Sequence, residues 1–207
     1  MALAILAAFV GAPTEFLMGD VQRIFYFHVP SAWMAFIAYF FVFTFSIAYL
    51  ATRKPSWDRK ALAAAEVGTL FCTIVLVTGP LWAKPVWGIW WTWDARLTST
   101  FVLWLMYCSY LLLRSALKES PKRAQLSSVV GILGFLDVPI VFFAIRLWRT
   151  QHPKPVILGG SKSGLDPAMF WTLMLCWAAL GILFALLMWR RVQLLEWESR
   201  AKALEDS

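Results

Sequence analysis

The chain contains only two histidines, His28 and His152, and each stands next to or within two residues of a proline, Pro30 and Pro153. Two imidazoles facing each other across a helical bundle can ligate one metal ion from opposite sides, which is the arrangement a bis-histidine haem requires. Taken by position alone, two interfacial histidines hydrogen-bonded to water are the simpler account. Between them in sequence lies Trp82-Ala83-Lys84-Pro85-Val86-Trp87-Gly88-Ile89-Trp90-Trp91-Thr92-Trp93-Asp94-Ala95-Arg96, which places five of the thirteen tryptophans within twelve residues. An aromatic belt explains one or two indoles per helix end, not five. Indole offers a flat apolar face and one N–H donor, which suits the face and edge of a porphyrin. Gly88 permits close backbone approach or an unusual turn, and Asp94 can cap a helix beginning near Leu97 or orient an indole N–H or a histidine.

Other reactive side chains offer less. Cys72, Cys108 and Cys176 fall inside apolar runs with no C-x-x-C pattern, so neither thiol exchange nor covalent haem attachment to this chain is indicated; they read as small core residues. Gly159-Gly160-Ser161-Lys162-Ser163-Gly164 lacks the order of a phosphate-binding loop, so work driven by ATP would need a partner. Asp137 is a carboxylate within an apolar run, an expensive placement, two residues before Pro139, where a kink is expected. Its choices are a polar contact near the outer end of its helix or a hydrogen bond to a neighbouring helix or subunit, the second being preferred.

The elements that must position these residues are transmembrane helices. The 207 residues are 60% apolar, 16% aromatic and 15% charged, against about 25% charged in soluble domains. That excludes a disulfide scaffold, a disordered tail and an ordinary soluble enzyme. The net charge of +7 comes in short clusters between apolar runs and so reads as membrane topology, not as a nucleic-acid surface. Residues 31–52 and 167–189 hold no charge over 22 and 23 positions, 67–83 and 97–113 none over 17 each, and 124–145 is broken only by Asp137. A span needs about 20 such residues. Residues 1–14 are uncharged but short; a signal peptide would want a basic start, so a first transmembrane helix, short or truncated, is favoured. The expectation is an all-α bundle of six transmembrane helices in one domain over 1–207, with no internal repeat of the inverted-transporter kind. Twelve of the 19 Lys and Arg then fall on one side and seven on the other, which puts both termini in the cytoplasm. Outer loops follow at about 13–29, 84–96 and 149–166, and they hold both histidines and the tryptophan string.

The string Trp87-Gly88-Ile89-Trp90-Trp91-Thr92-Trp93-Asp94-Ala95-Arg96-Leu97-Thr98-Ser99 resembles the tryptophan-rich (WWD) signature of the haem-handling proteins of cytochrome c biogenesis, most closely the haem exporter protein C (CcmC) branch. Two stretches agree with it: Gly19-Asp20-Val21-Gln22-Arg23-Ile24-Phe25-Tyr26-Phe27-His28-Val29-Pro30-Ser31-Ala32-Trp33, and the run from Asp137-Val138-Pro139 to Gln151-His152-Pro153. Larger haem lyase and synthetase relatives typically follow the loop with Asp-Pro and carry more histidines; here Asp94 precedes Ala95.

The resemblance implies non-covalent haem b as cargo, with His28 and His152 as axial ligands. It implies a platform of Trp87, Gly88, Trp90, Trp91, Trp93 and Asp94. It implies display at the periplasmic face of a bacterial inner membrane and delivery to a periplasmic haem chaperone. Partners would be an ABC-type ATPase, a second membrane subunit and a small single-span protein. Propionates would then face Arg23, Arg96, Arg146 or Arg149, unless these only set orientation and snorkel to headgroups. A transporter moving haem across the membrane itself would want a receiving group inside, where no histidine falls. A lyase attaching haem to apocytochrome c would want more chain outside.

Overall fold

The computed structural model describes residues 1–152 and 164–205. A short helix, α1 (Ala2–Leu6), runs on as one π-type turn over Ala7–Gly11, and a 3-10 turn, Asp20–Ile24, leads into α2 (Phe25–Thr52). Then follow α3 (Pro55–Trp87), α4 (Ala95–Ala116), α5 (Pro121–Phe135), α6 (Asp137–Leu147) and α7 (Pro167–Glu205), with no strand among the described residues. Five helical stretches are long and apolar enough to cross a membrane, α5 and α6 doing so together over Pro121–Leu147. The all-α membrane bundle is as expected. The N-terminal segment is helical too, but only over Ala2–Gly11, which is short of a span.

Local chemistry sets the ends. Pro55 and Pro121 open α3 and α5, where a missing N–H costs nothing. Ser120 caps α5 by accepting from Arg123 N at 3.2 Å. Gly88 ends α3 at φ 77°, and a Cβ there would meet nothing within 4 Å, so glycine answers the backbone angle and not a shortage of space. At Leu136 the chain turns between α5 and α6, just before Asp137 and Pro139, where a kink is expected.

Two of the expected loop boundaries move. His28 lies within α2 and not in the first outer loop, because Pro30 is accommodated in the opening turns of the helix. Lys84, Pro85 and Trp87 still belong to α3, and Ala95 and Arg96 already belong to α4, so the second loop is only 88–94. In the third, residues 148–152 follow α6; Pro153, Lys154 and Lys162 lie outside the described residues.

Small residues let the helices close up, as expected where lipid gives no hydrophobic drive between them. A Cβ on Gly68 of α3 would come within 2.8 Å of the Tyr39 ring on α2, and one on Gly131 of α5 within 2.8 Å of Val42. Tyr39 and Tyr107 stack at 3.7 Å between centroids, and Tyr107 donates to Gly131 O at 3.2 Å. The N-terminal segment docks separately: Ala4, Ala8 and Ala12, spaced one turn apart, pack with Tyr26 of α2 and Leu173 and Cys176 of α7.

Candidate functional site

At one end of the bundle, where α3 finishes and α4 begins, the helices part around a cleft. It holds about 960 Å³ of empty space, its open mouth included. Its lining is apolar except for His28, His152, Arg96, the Thr100 hydroxyl and the Cys72 thiol. The two histidines of the chain, 124 residues apart in sequence, are thus brought to one cavity.

His28 sits one turn into α2 and is 8% exposed. Its Nδ1 lies 2.8 Å from the Thr78 hydroxyl on α3, and Trp82, one turn further along α3, meets the ring edge-on at 5.8 Å. A Cβ on Gly79 would stand 3.5 Å from His28 Cε1, so α3 passes within van der Waals reach of that side of the imidazole. His152 arrives from the short extended segment after α6, where its backbone N–H donates to Thr150 Oγ1 at 3.1 Å.

The tryptophan string divides. Trp87, at the last turn of α3, and Trp91, in the loop, line the cleft. Trp90 and Trp93 face outward, 55% and 74% exposed, and Trp93 meets Trp91 edge-on at 5.8 Å over a second apolar recess with Phe101 and Trp104. Gly88 supplies the left-handed turn that reverses the chain, and its carbonyl accepts from Lys84 Nζ at 2.8 Å. Asp94 caps α4: Oδ1 accepts from the backbone of Arg96 and Leu97 at 3.0 and 3.1 Å, and Oδ2 from Thr92 at 2.9 Å. Its carboxylate therefore holds the loop to the helix.

Of the four arginines, only Arg96 reaches the cleft; its Nη1 lies 3.5 Å from Val141 O. Arg23 is spent elsewhere: it donates to Ala8 O at 2.7 Å, Ala12 O at 3.3 Å and Thr14 Oγ1 at 3.2 Å and pairs with Asp20, clamping the N-terminal segment. Arg146, over the Phe143 ring, and Arg149 are exposed and do not line the cleft. Asp137, at the α5–α6 turn, has a buried Oδ2 with no hydrogen-bond partner among the described residues.

Thr78 was not singled out by sequence, and Trp82, though in the tryptophan string, lay outside the expected platform. Trp82 lines the cleft, and Thr78 holds His28 from behind. The signal was helical spacing: Cys72, Val75, Gly79, Trp82, Val86 and Trp87 form one stripe of α3 along the cavity. The indole N–H groups of Trp82 and Trp91 are buried without a partner among the described residues. Such donors are costly to leave unmet. The donor set, two imidazoles that can ligate a metal, a guanidinium and indole faces, is of the kind that fits a flat apolar ligand carrying a metal at its centre and acceptors at its edge.

Residues 1–206 match the family described as Heme exporter protein C. The chain is 34% identical over 176 residues to the Heme exporter protein C of Bradyrhizobium diazoefficiens, covering 85% of this chain and 67% of that protein. It is 32% identical over 158 residues to the Heme exporter protein C of Escherichia coli K12, covering 76% and 63%. It is 37% identical over 151 residues to a ccmC-like mitochondrial protein of cytochrome c biosynthesis from Marchantia polymorpha, covering 73% and 64%. The matched stretch thus spans about two thirds of these relatives' lengths. With an all-α membrane bundle on the page and the family matched over nearly its whole length, this chain belongs to the haem exporter protein C family.

Proposed function

We propose that the chain binds haem b non-covalently in this cleft, displays it at the periplasmic face of a bacterial inner membrane, and hands it to a periplasmic haem chaperone during cytochrome c maturation. The observation that carries the proposal is that the two histidines of the chain, and no others, line one apolar cavity walled by Trp82, Trp87 and Trp91.

Each residue has a part. His28 and His152 would ligate the iron from two sides, one from α2, packed against α3, and the other from the segment after α6. Release requires one ligand to give way, and a ligating residue of the chaperone is the natural competitor. Trp87 and Trp91 cover the ring; Arg96 and the unmet N–H groups of Trp82 and Trp91 would meet propionates. Asp94 and Gly88 fix the loop that carries Trp91, while Trp90 and Trp93, turned outward, are free to meet the chaperone. Energy for release would come from an ABC-type ATPase and its membrane and single-span subunits.

Absorption spectra of the detergent-purified protein, oxidised and reduced, test the display site. Wild type should carry six-coordinate low-spin haem; His28→Ala and His152→Ala should lose that spectrum and fail to load the chaperone. A double variant with the wild-type spectrum would sink the proposal.

A further inference from the structure

The Thr78 hydroxyl has three polar neighbours. Its oxygen lies 2.7 Å from the carbonyl oxygen of Ile74, one turn back on α3, 3.5 Å from that of Val75, and 2.8 Å from Nδ1 of His28 on α2. A hydroxyl has one proton to give and two lone pairs to offer. When that proton goes to Ile74 O, the oxygen accepts from His28 Nδ1–H, and both contacts are hydrogen bonds. When it goes to Nδ1 instead, the Ile74 contact is lost and the imidazole proton moves to Nε2. No side-chain hydrogen bond but that to Thr78 reaches His28 among the described residues, so the other ring nitrogen is left to the cleft. The hydrogen bond lost from Ile74 favours the first arrangement by a few-fold to about tenfold.

The same contact sets the ring's orientation. Turning the imidazole over would exchange Nδ1 for a carbon and break the bond to Thr78. Trp82 stands edge-on at 5.8 Å, and Gly79 lies beside Cε1, where a Cβ would stand at 3.5 Å. An imidazole coordinates a metal through its unprotonated nitrogen, and the hydrogen bond at the other nitrogen decides which one that is.

We infer that Thr78 is the positioning residue of this ligand: it holds His28 as the Nδ1–H tautomer and leaves the Nε2 lone pair facing the cleft. This rests on the haem-display proposal above. It adds a residue outside the tryptophan string, on the helix preceding it, that decides which nitrogen meets the iron.

The tautomer can be read without haem. The full chain, labelled with 15N-histidine in detergent micelles, gives signals from two imidazoles, and His152→Ala assigns them. A protonated Nδ1 and a bare Nε2 at His28 are expected; a protonated Nε2 overturns the inference. Haemin titration then follows Thr78→Val, which keeps the branched shape without the hydroxyl, and Thr78→Ser, which restores it. Affinity should fall about 10- to 100-fold in the valine variant, with a smaller low-spin fraction, and return to near wild type in the serine variant. A valine variant that binds like wild type while His28→Ala loses haem overturns the role of Thr78 alone. If His28→Ala itself binds like wild type, the display-site proposal falls and the inference falls with it. Should the valine variant not fold, the wild-type tautomer and the serine titration still decide.

Discussion

The two ends of the bundle arrange their charged groups differently. Where α3 begins and α4 ends, charges are matched to each other: Arg114 makes a two-pronged contact to Asp58 at 2.5 and 2.7 Å, and Arg191 another to Glu66 at 2.5 and 2.8 Å. Where α3 ends and α4 begins, two histidines, an arginine and three tryptophans line a cavity, and the indole N–H groups of Trp82 and Trp91 are buried without a partner among the described residues. Buried polar atoms without a partner occur at the first end as well, Arg114 Nε and the Tyr110 hydroxyl among them, so what separates the two ends is the set of matched ion pairs on one side and the cleft on the other. The first end is therefore a lock and the second a receptacle.

Cutting the lock should have the largest effect. Arg114 and Asp58 are 5% and 12% exposed at the side chain, so Asp58→Ala leaves a buried guanidinium without its carboxylate. A loss of about 3–5 kcal/mol is expected, read as a large drop in thermal midpoint in detergent, with haem binding per folded molecule unchanged. Replacing both partners, Asp58→Leu with Arg114→Met, should recover most of it. If the pair replacement is as damaging as the single change, the contact does something other than balance charge.

The receptacle should answer the other way round. Trp82→Phe and Trp91→Phe keep a ring and remove a donor that has no partner, so the thermal midpoint of the empty protein should hold or rise slightly. Haem affinity should fall roughly tenfold for each, as for a lost hydrogen bond to a charged group. Trp93→Ala, at a side chain 74% exposed, should leave both quantities within about twofold and weaken only transfer to the chaperone. Equal haem loss for Trp93 and Trp91 would mean that the loop closes over its ligand in a form unlike the one described.

The contrast between the ends was half visible in the sequence. Apolar runs gave the spans, and rarity gave the site: two histidines and a cluster of indoles stand out against a background of leucine and alanine. Boundaries were harder because proline signals a break by default. Pro30, Pro80 and Pro85 are all carried inside helices, so His28 and Trp87 proved to be helical. The partners of those residues were not legible. Thr78 is one of several threonines on α3, and only the approach of α2 makes it the one that touches an imidazole. Arg23 and Arg96 look alike as isolated basic residues near apolar runs, yet one clamps the N-terminal segment and the other lines the cleft. Chain order does not encode which cation is consumed locally.

The smallest effect belongs to the rim of the lock. Glu119, in the turn between α4 and α5, accepts from Lys202 of α7 at 2.7 Å and lies 3.6 Å from Arg123. The hydrogen bond from Lys202 is the main reason its carboxyl titrates below the ordinary glutamate value, with the Lys202 and Arg123 charges adding to it. Because the folded value is the lower one, the stabilisation is fully present above the usual carboxylate pKa of about 4.3 and disappears as pH falls through the depressed value. Both side chains of the Lys202 pair are more than half exposed, so screening keeps the contribution below about 1 kcal/mol. Lys202→Ala should therefore shift the thermal midpoint slightly at pH 7, less in high salt, and not at all below the depressed value. The Asp58 and Arg114 contact, shielded from solvent, should keep its effect in the same salt series. Equal salt sensitivity at the two sites would erase the distinction between a buried lock and its solvated rim.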